Sequence, residues 1–250
     1  MAIKAQISIS NLRSPKVKIC GITDIETALF CVEQGVDYLG FVLSMSDTPR
    51  YLTSEQACSL ISQLKAQSSK LMAKLVGVFV DEPADVVDAA AKNCRFDIVQ
   101  LHGSESPEYC QHFRDEGYKV WKTFRLPAAD DGNVSTTEIT ENTDIISRIQ
   151  TYFGSVDAMH FDAYCKKRSG GGFGKTFDWD LAIELKKSVQ REAHRVLLVM
   201  AGGLRVDNVL EAIKVVQPDI VDVSSGVERI AGVKDRDLIR EFLVSIRSSY

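Results

Sequence analysis

The sequence predicts one α/β domain, a (β/α)8 TIM barrel of parallel strands wrapped by helices. Eight short β-rich apolar runs alternate with helical patterns along the chain. The 250 residues match the usual size of such a barrel. No shift in composition divides them into two cores.

The elements follow in order. Residues 1–15 (MAIKAQISISNLRSP) form an expected N-terminal extension, loosely ordered, and the barrel domain is expected over 16–250. The strand runs are 16–20 (KVKIC), 37–43 (DYLGFVL), 74–80 (KLVGVFV), 96–101 (FDIVQL), 119–124 (KVWKTF), 156–162 (VDAMHFD), 195–200 (RVLLVM) and 219–223 (DIVDV). Several are nearly continuous in Val, Ile, Leu and Phe, as strands buried on both faces should be. Thr53 with Gln56 fits a capping box, and Ser106-Pro107 places a cap before a first-turn proline. Residues 83–92, 178–187, 205–216 and 234–247 carry apolar positions at helical spacing. Between the fifth and sixth strands, polar residues 127–144 read as a surface insertion ahead of a helix at IISRIQTYF. A doubly wound open sheet is the structural alternative, but the first turn, CGITD, lacks the GxGxxG of that class.

Composition narrows the function classes. The net charge is −4 and no long Lys/Arg cluster occurs, so nothing offers a footprint for nucleic acid. No apolar run approaches the ~20 residues that span a bilayer. The six cysteines, Cys20, Cys31, Cys58, Cys94, Cys110 and Cys165, are scattered without a CxxC pair. They read as reduced thiols of a cytoplasmic protein, and no zinc or other metal site is expected. Cys31, Cys58, Cys94 and Cys110 fall on helical patterns and read as packing. The lead 1–15 is faintly like the mature side of a transit peptide, which leaves organelle targeting open.

In such barrels chemistry sits at the C-terminal ends of the strands. Cys20-Gly21 follows the first strand there, and Asp162 ends the sixth. A carboxyl group in a partly dry mouth is expected to have a raised pKa and to serve as an acid, and a thiolate across the mouth to serve as a base. Arg50, in the loop after the second strand, suits a carboxylate on a ligand. His102, after the fourth, would contact ligand or bond a loop carbonyl. His160 shares the inward face of Asp162 and reads as a satisfied core histidine, while His112 and His194 read as surface. Glycines gather after three neighbouring strands: Gly171, Gly172 and Gly174 after the sixth, Gly202 and Gly203 after the seventh, and Gly226, beside Ser225, after the eighth. Such loops bring backbone amides to a phosphate.

These stretches, VKICGIT (17–23), TPRYLT (48–53), LVGVFVDE (75–82), DIVQLHG (97–103), FDA (161–163), GGFGKTFDW (171–179), AGGL (201–204) and VDVSSGVE (221–228), resemble the phosphoribosylanthranilate isomerase family over about residues 17–247. The resemblance implies an Amadori rearrangement in tryptophan biosynthesis, with Cys20 as base, Asp162 as acid and Arg50 on the anthranilate carboxylate. It adds Asp222 to the substrate-binding set and calls for a small phosphosugar substrate, no cofactor, and a monomer or homodimer. Phe173 departs from the hydroxyl residue usual in the family's glycine loop, and His160 stands where an aliphatic residue is common. Another phosphosugar barrel enzyme, a flavin-phosphate oxidoreductase and a non-catalytic phosphosugar-binding barrel are the alternatives.

Overall fold

Eight parallel strands close on themselves in chain order, with β8 returning to β1. The computed structural model describes residues 13–68, 71–127, 145–164, 179–192 and 196–250, without the side chains of 127, 163–164, 179–182 and 190–192. Residues 1–12, the 128–144 segment, the glycine loop with Gly171, Gly172, Phe173 and Gly174, Cys165 and His194 lie outside the described residues.

The strands are β1 (Lys16–Cys20), β2 (Tyr38–Val42), β3 (Lys74–Phe79), β4 (Ile98–Leu101), β5 (Lys119–Pro127), β6 (Ala158–Tyr164), β7 (Leu197–Met200) and β8 (Ile220–Val223). The helices are α1 (Ile25–Glu33), α2 (Ser54–Gln67), α3 (Ala84–Cys94), α4 (Pro107–Asp115), α5 (helical over 145–150), α6 (Trp179–Glu192), α7 (Val209–Val216) and α8 (Arg236–Arg247). Local chemistry starts them. Thr53 and Gln56 exchange both hydrogen bonds of a capping box, and Ser106 caps α4 ahead of Pro107.

Strand alternation splits the buried residues into two layers. Val17 and Ile19 of β1 join the larger core between barrel and helices. Tyr38, Val76, Ile98, Trp121, Ala158, Val199 and Ile220 fill the barrel's interior, with Cys20 packed against them. Between this apolar layer and the strand ends lie the buried polar residues Lys18, Gln100, His160 and Asp222, on inward-facing positions.

Several boundaries depart from the sequence reading. β5 and β6 run on together, paired from Trp121↔Ala158 to Pro127↔Tyr164. α7 begins at Val209, because Asn208 instead ties the preceding loop: it accepts from Arg205 N and donates to Gly203 O. A hairpin of β9 (Glu228–Ile230) and β10 (Val233–Lys234), unforeseen in the sequence, follows β8.

The expectation of six reduced thiols is overturned for one pair. Cys58 of α2 and Cys94 of α3 form a disulfide, with Cα atoms 4.3 Å apart. The 36-residue separation carries no framework signal, but consecutive helices of a barrel pack side by side and bring the two together. Cys20, Cys31 and Cys110 are free thiols. Among the described residues, no helix is long and apolar enough to cross a membrane.

Candidate active site

Cys20 closes β1 and Gly21 turns the chain away at φ +78°, in the left-handed region that favours glycine. A methyl group on Gly21 would also meet Arg50 Cδ at 2.7 Å, so the glycine lets the arginine stem cross above the strand end. Gly40, the β2 neighbour of Cys20, makes room in the same way. A Cβ there would lie 2.8 Å from the Cys20 sulfur and 3.1 Å from Lys18 Cε. Neither Gly40 nor Lys18 was singled out from sequence.

Lys18 is fully buried, two residues before Cys20 on the same inward face. Its ammonium meets Asp222 Oδ2 at 2.6 Å, and its stem runs beside the Cys20 sulfur, since a Cβ on Gly40 would touch both. Burial works against that ammonium, but Asp222 and Cys20 outweigh it and push its pKa above the ordinary lysine value. Burial also raises the Cys20 thiol; Lys18 and Lys234 pull it down, Asp222 pushes it up, and the net is a raised pKa. Asp222 pays the same desolvation, yet Lys18 and His160 hold it ionised, down at about 2. Asp222, expected among the substrate-binding residues, has its Oδ2 in a buried cluster, taking Lys18 and also His160 Nε2 at 2.9 Å.

His160 is the second surprise. It points inward as expected, but it is only half satisfied. Nε2 bonds Asp222 while the buried Nδ1 has no partner. Burial keeps this imidazole neutral, with a pKa below the usual histidine value. Among the described residues the buried side-chain polar atoms without a partner are Gln100 Oε1, His160 Nδ1 and Asp222 Oδ1. All three lie on inward-facing positions of β4, β6 and β8.

Asp162 stands two residues above His160. Its Oδ2 lies 3.3 Å from His102 Nε2, and its side chain is 30 % exposed. The raised carboxyl pKa expected from a dry mouth is not what the geometry yields. Burial does push it up, but the His102 contact outweighs that, and Asp162 sits below the usual carboxylate value. Gln100 Nε2 lies 3.4 Å from His102 Nδ1, which suits a ring that donates from Nε2 to Asp162. Below them, buried Lys122 meets Glu105 at 3.1 Å, and Glu105 accepts from Gly103 N, fixing the loop that carries His102.

Arg50 does not project freely as expected. Its Nε and Nη2 grip Glu228 at 2.8 and 2.6 Å, and Glu228 also takes Lys234 at 2.7 Å. The fork that would read a ligand carboxylate is already set against a protein carboxylate. The signal for Glu228 was its place in VDVSSGVE; its pairing across 178 positions was not legible.

The loops after β7 and β8 touch. Gly202 and Gly203 take φ +81° and +66°, and a Cβ on Gly226 would stand 1.9 Å from Leu204 O. Among the described residues, the amides of Gly202, Gly203, Ser225 and Gly226 donate no hydrogen bond. Bare amides at the start of a 3₁₀ turn over Ser225–Val227 suit an anion.

Known proteins resemble this chain in sequence and fold. The profile of the family described as "PRAI: N-(5'phosphoribosyl)anthranilate (PRA) isomerase" matches residues 17–245. The N-(5'-phosphoribosyl)anthranilate isomerase of Geotalea uraniireducens is 42% identical over 228 residues, 91% of this chain and 96% of that protein. The Trichlorobacter lovleyi isomerase is 40% identical over the same shares. The crystal structure of phosphoribosyl anthranilate isomerase from Thermotoga maritima superposes with a TM-score of 0.75 at 33% identity, covering 94% of this chain and 99% of that one. A further isomerase structure, in complex with reduced 1-(o-carboxyphenylamino)-1-deoxyribulose 5-phosphate, matches at 0.71 and 32% identity, covering 94% and 99%. A mouth built on CGIT, with the acid at the end of β6 and anion-ready loops after β7 and β8, thus lies within a match running through all eight strands, and this chain belongs to the N-(5'-phosphoribosyl)anthranilate isomerase family.

Proposed function

We propose that the barrel mouth converts N-(5'-phosphoribosyl)anthranilate to 1-(2-carboxyphenylamino)-1-deoxyribulose 5-phosphate, with Cys20 as base and Asp162 as acid. One observation carries the assignment. The two groups face inward at the C-terminal ends of β1 and β6, and the bare amides of the β7 and β8 loops stand beside them.

The chemistry follows from that placement. Asp162 gives its proton to the ribose ring oxygen, the C1–O bond breaks and an iminium forms. The Cys20 thiolate removes the C2 proton, and the enolamine that results tautomerises to the ketone. Atoms and charge balance without an oxidant. The depressed pKa of Asp162 means that it must gain its proton as substrate binds. Covering its exposed edge removes the water that favours the charged form, which moves it in that direction. Lys18, against the thiol, favours the thiolate. Gly202, Gly203, Ser225 and Gly226 would hold the phosphate, joined by Gly171, Gly172 and Gly174. Arg50, His102 and Asp222 would hold the rest of the substrate, Arg50 turning part of its fork from Glu228 to the anthranilate carboxylate. The protein acts as a cytoplasmic monomer or homodimer in this reading; the Thermotoga maritima relative is described as dimeric.

The test is loss of phosphoribosylanthranilate fluorescence on adding purified protein with chelator present. Cys20→Ala and Asp162→Asn should each lower turnover by ~10²-fold or more, the scale of a lost acid or base. Near-normal turnover in either variant removes its role.

A further inference from the structure

We propose that His160 is a positioning residue for the base: by sharing Asp222 Oδ2 with Lys18, it keeps the Lys18 ammonium available to the Cys20 thiolate. The proposal rests on the assignment of Cys20 as base.

The geometry is specific. Two donors converge on one carboxylate oxygen, Lys18 Nζ at 2.6 Å and His160 Nε2 at 2.9 Å, while Oδ1 takes no partner among the described residues. An ordinary buried pair would let the carboxylate turn both oxygens to its lysine. Here the imidazole pins one oxygen and withdraws part of its charge. That leaves more of the Lys18 charge to act on the Cys20 sulfur, beside which the lysine stem lies at Gly40. The path runs from β6 through β8 to β1, across the barrel floor. His160 does not touch the reacting atoms in this account; it acts through Asp222 and Lys18. Its unpartnered Nδ1 shows that the ring is not held there by full hydrogen-bond satisfaction.

Removing the ring's N–H leaves the Asp222 charge less compensated and draws Lys18 toward it. Both changes disfavour the thiolate, so the sign is the same by either route. Beyond Lys18 and Asp222, the charged groups near Cys20 are Lys234 of β10 and Arg50, which crosses above Gly21 paired with Glu228; Asp162 and His102 lie on the His160 side of the cluster. None hydrogen-bonds His160, and among the described residues the one ring packed against it is that of His102, 5.7 Å away between centroids.

The experiment measures iodoacetamide alkylation of the Cys20 peptide by mass spectrometry between about pH 5 and 10, in wild type, His160→Leu and His160→Gln. The Leu variant should move the alkylation midpoint upward by about one unit, leaving roughly tenfold less thiolate at neutral pH. Its kcat should fall about tenfold at neutral pH, with KM within about twofold, and recover in alkali. Glutamine keeps a donor near the position of Nε2, so that variant should stay within about threefold of wild type. An unshifted Cys20 profile in the Leu variant overturns the proposal, as does a kcat loss that alkali does not rescue. If the Leu variant fails to fold, nitrogen NMR of wild type decides: His160 must be neutral and protonated at Nε2 near pH 7, and an imidazolium or an Nδ1–H tautomer refutes it. Alkylation reads the thiolate whether or not Cys20 turns over substrate, so failure here is distinct from failure of the assigned activity.

Discussion

A methyl group placed on Gly40 would collide with the Cys20 sulfur, with Cys20 Cα and with the Lys18 stem at once. The backbone there is ordinary strand, so the demand for glycine comes from neighbours and not from φ. Gly40→Ala should therefore misplace the thiol and its cation together. The expected cost is about 1–3 kcal/mol of stability, as for an overpacked core, and roughly tenfold or more in kcat. Gly154→Ala is the matched control, since nothing lies within 4 Å of its built Cβ. Steady-state kinetics and urea unfolding of both variants check this, and wild-type kcat for Gly40→Ala would show that β2 yields without moving Cys20. Arg50 teaches a related lesson. The sequence marks it as a carboxylate reader, and the structure shows a fork preset by Glu228, itself anchored by Lys234 and by Gly232 N. A residue type can announce its chemistry while its partner stays hidden far along the chain.

Elements that begin with local chemistry were legible. The Thr53–Gln56 box and the Ser106–Pro107 start lie within a few residues of what they bond, so the pattern is complete in the sequence. Elements that owe their ends to distant partners were not. β5 and β6 lengthen because each gives the other a ladder, which no single run of residues records. The α2–α3 disulfide belongs to the same class, since only the packing of neighbouring helices unites Cys58 with Cys94. It predicts a thiol count: the denatured chain should titrate two fewer thiols before reduction than after. Reduction should lower stability by on the order of 4 kcal/mol, the loop-closure value for a ring of this size. Equal counts before and after reduction would show both cysteines to be free in solution.

At the scale of the molecule, eight alternations of strand and helix foretold the closed barrel, and the barrel rule then placed Cys20 and Asp162 at one mouth. What the sequence withheld was the polar floor beneath them. A lysine in a β-run reads as an edge or surface residue, because nothing nearby says that its counter-charge lies 204 positions away. This floor has a consequence for the whole fold. Asp222 and Glu228 are both held at about 2 in the folded state, from ordinary values of 3.8 and 4.5. Depressed carboxyl values mean that the unfolded chain binds protons first. The stability they contribute is complete above about pH 4.5 and is lost as pH falls toward about 2. Their side chains are 5 % and 2 % exposed, so salt screens them little. Protonating either one strands a buried cation, Lys18 or Lys234, which is costlier than removing the pair. Urea midpoints should therefore fall steeply between about pH 4.5 and 2 and change little with added salt. Asp222→Asn together with Lys18→Met, which deletes the β1–β8 pair on both sides, should flatten that slope. A double variant as acid-sensitive as wild type would move the cause of acid unfolding away from the barrel floor.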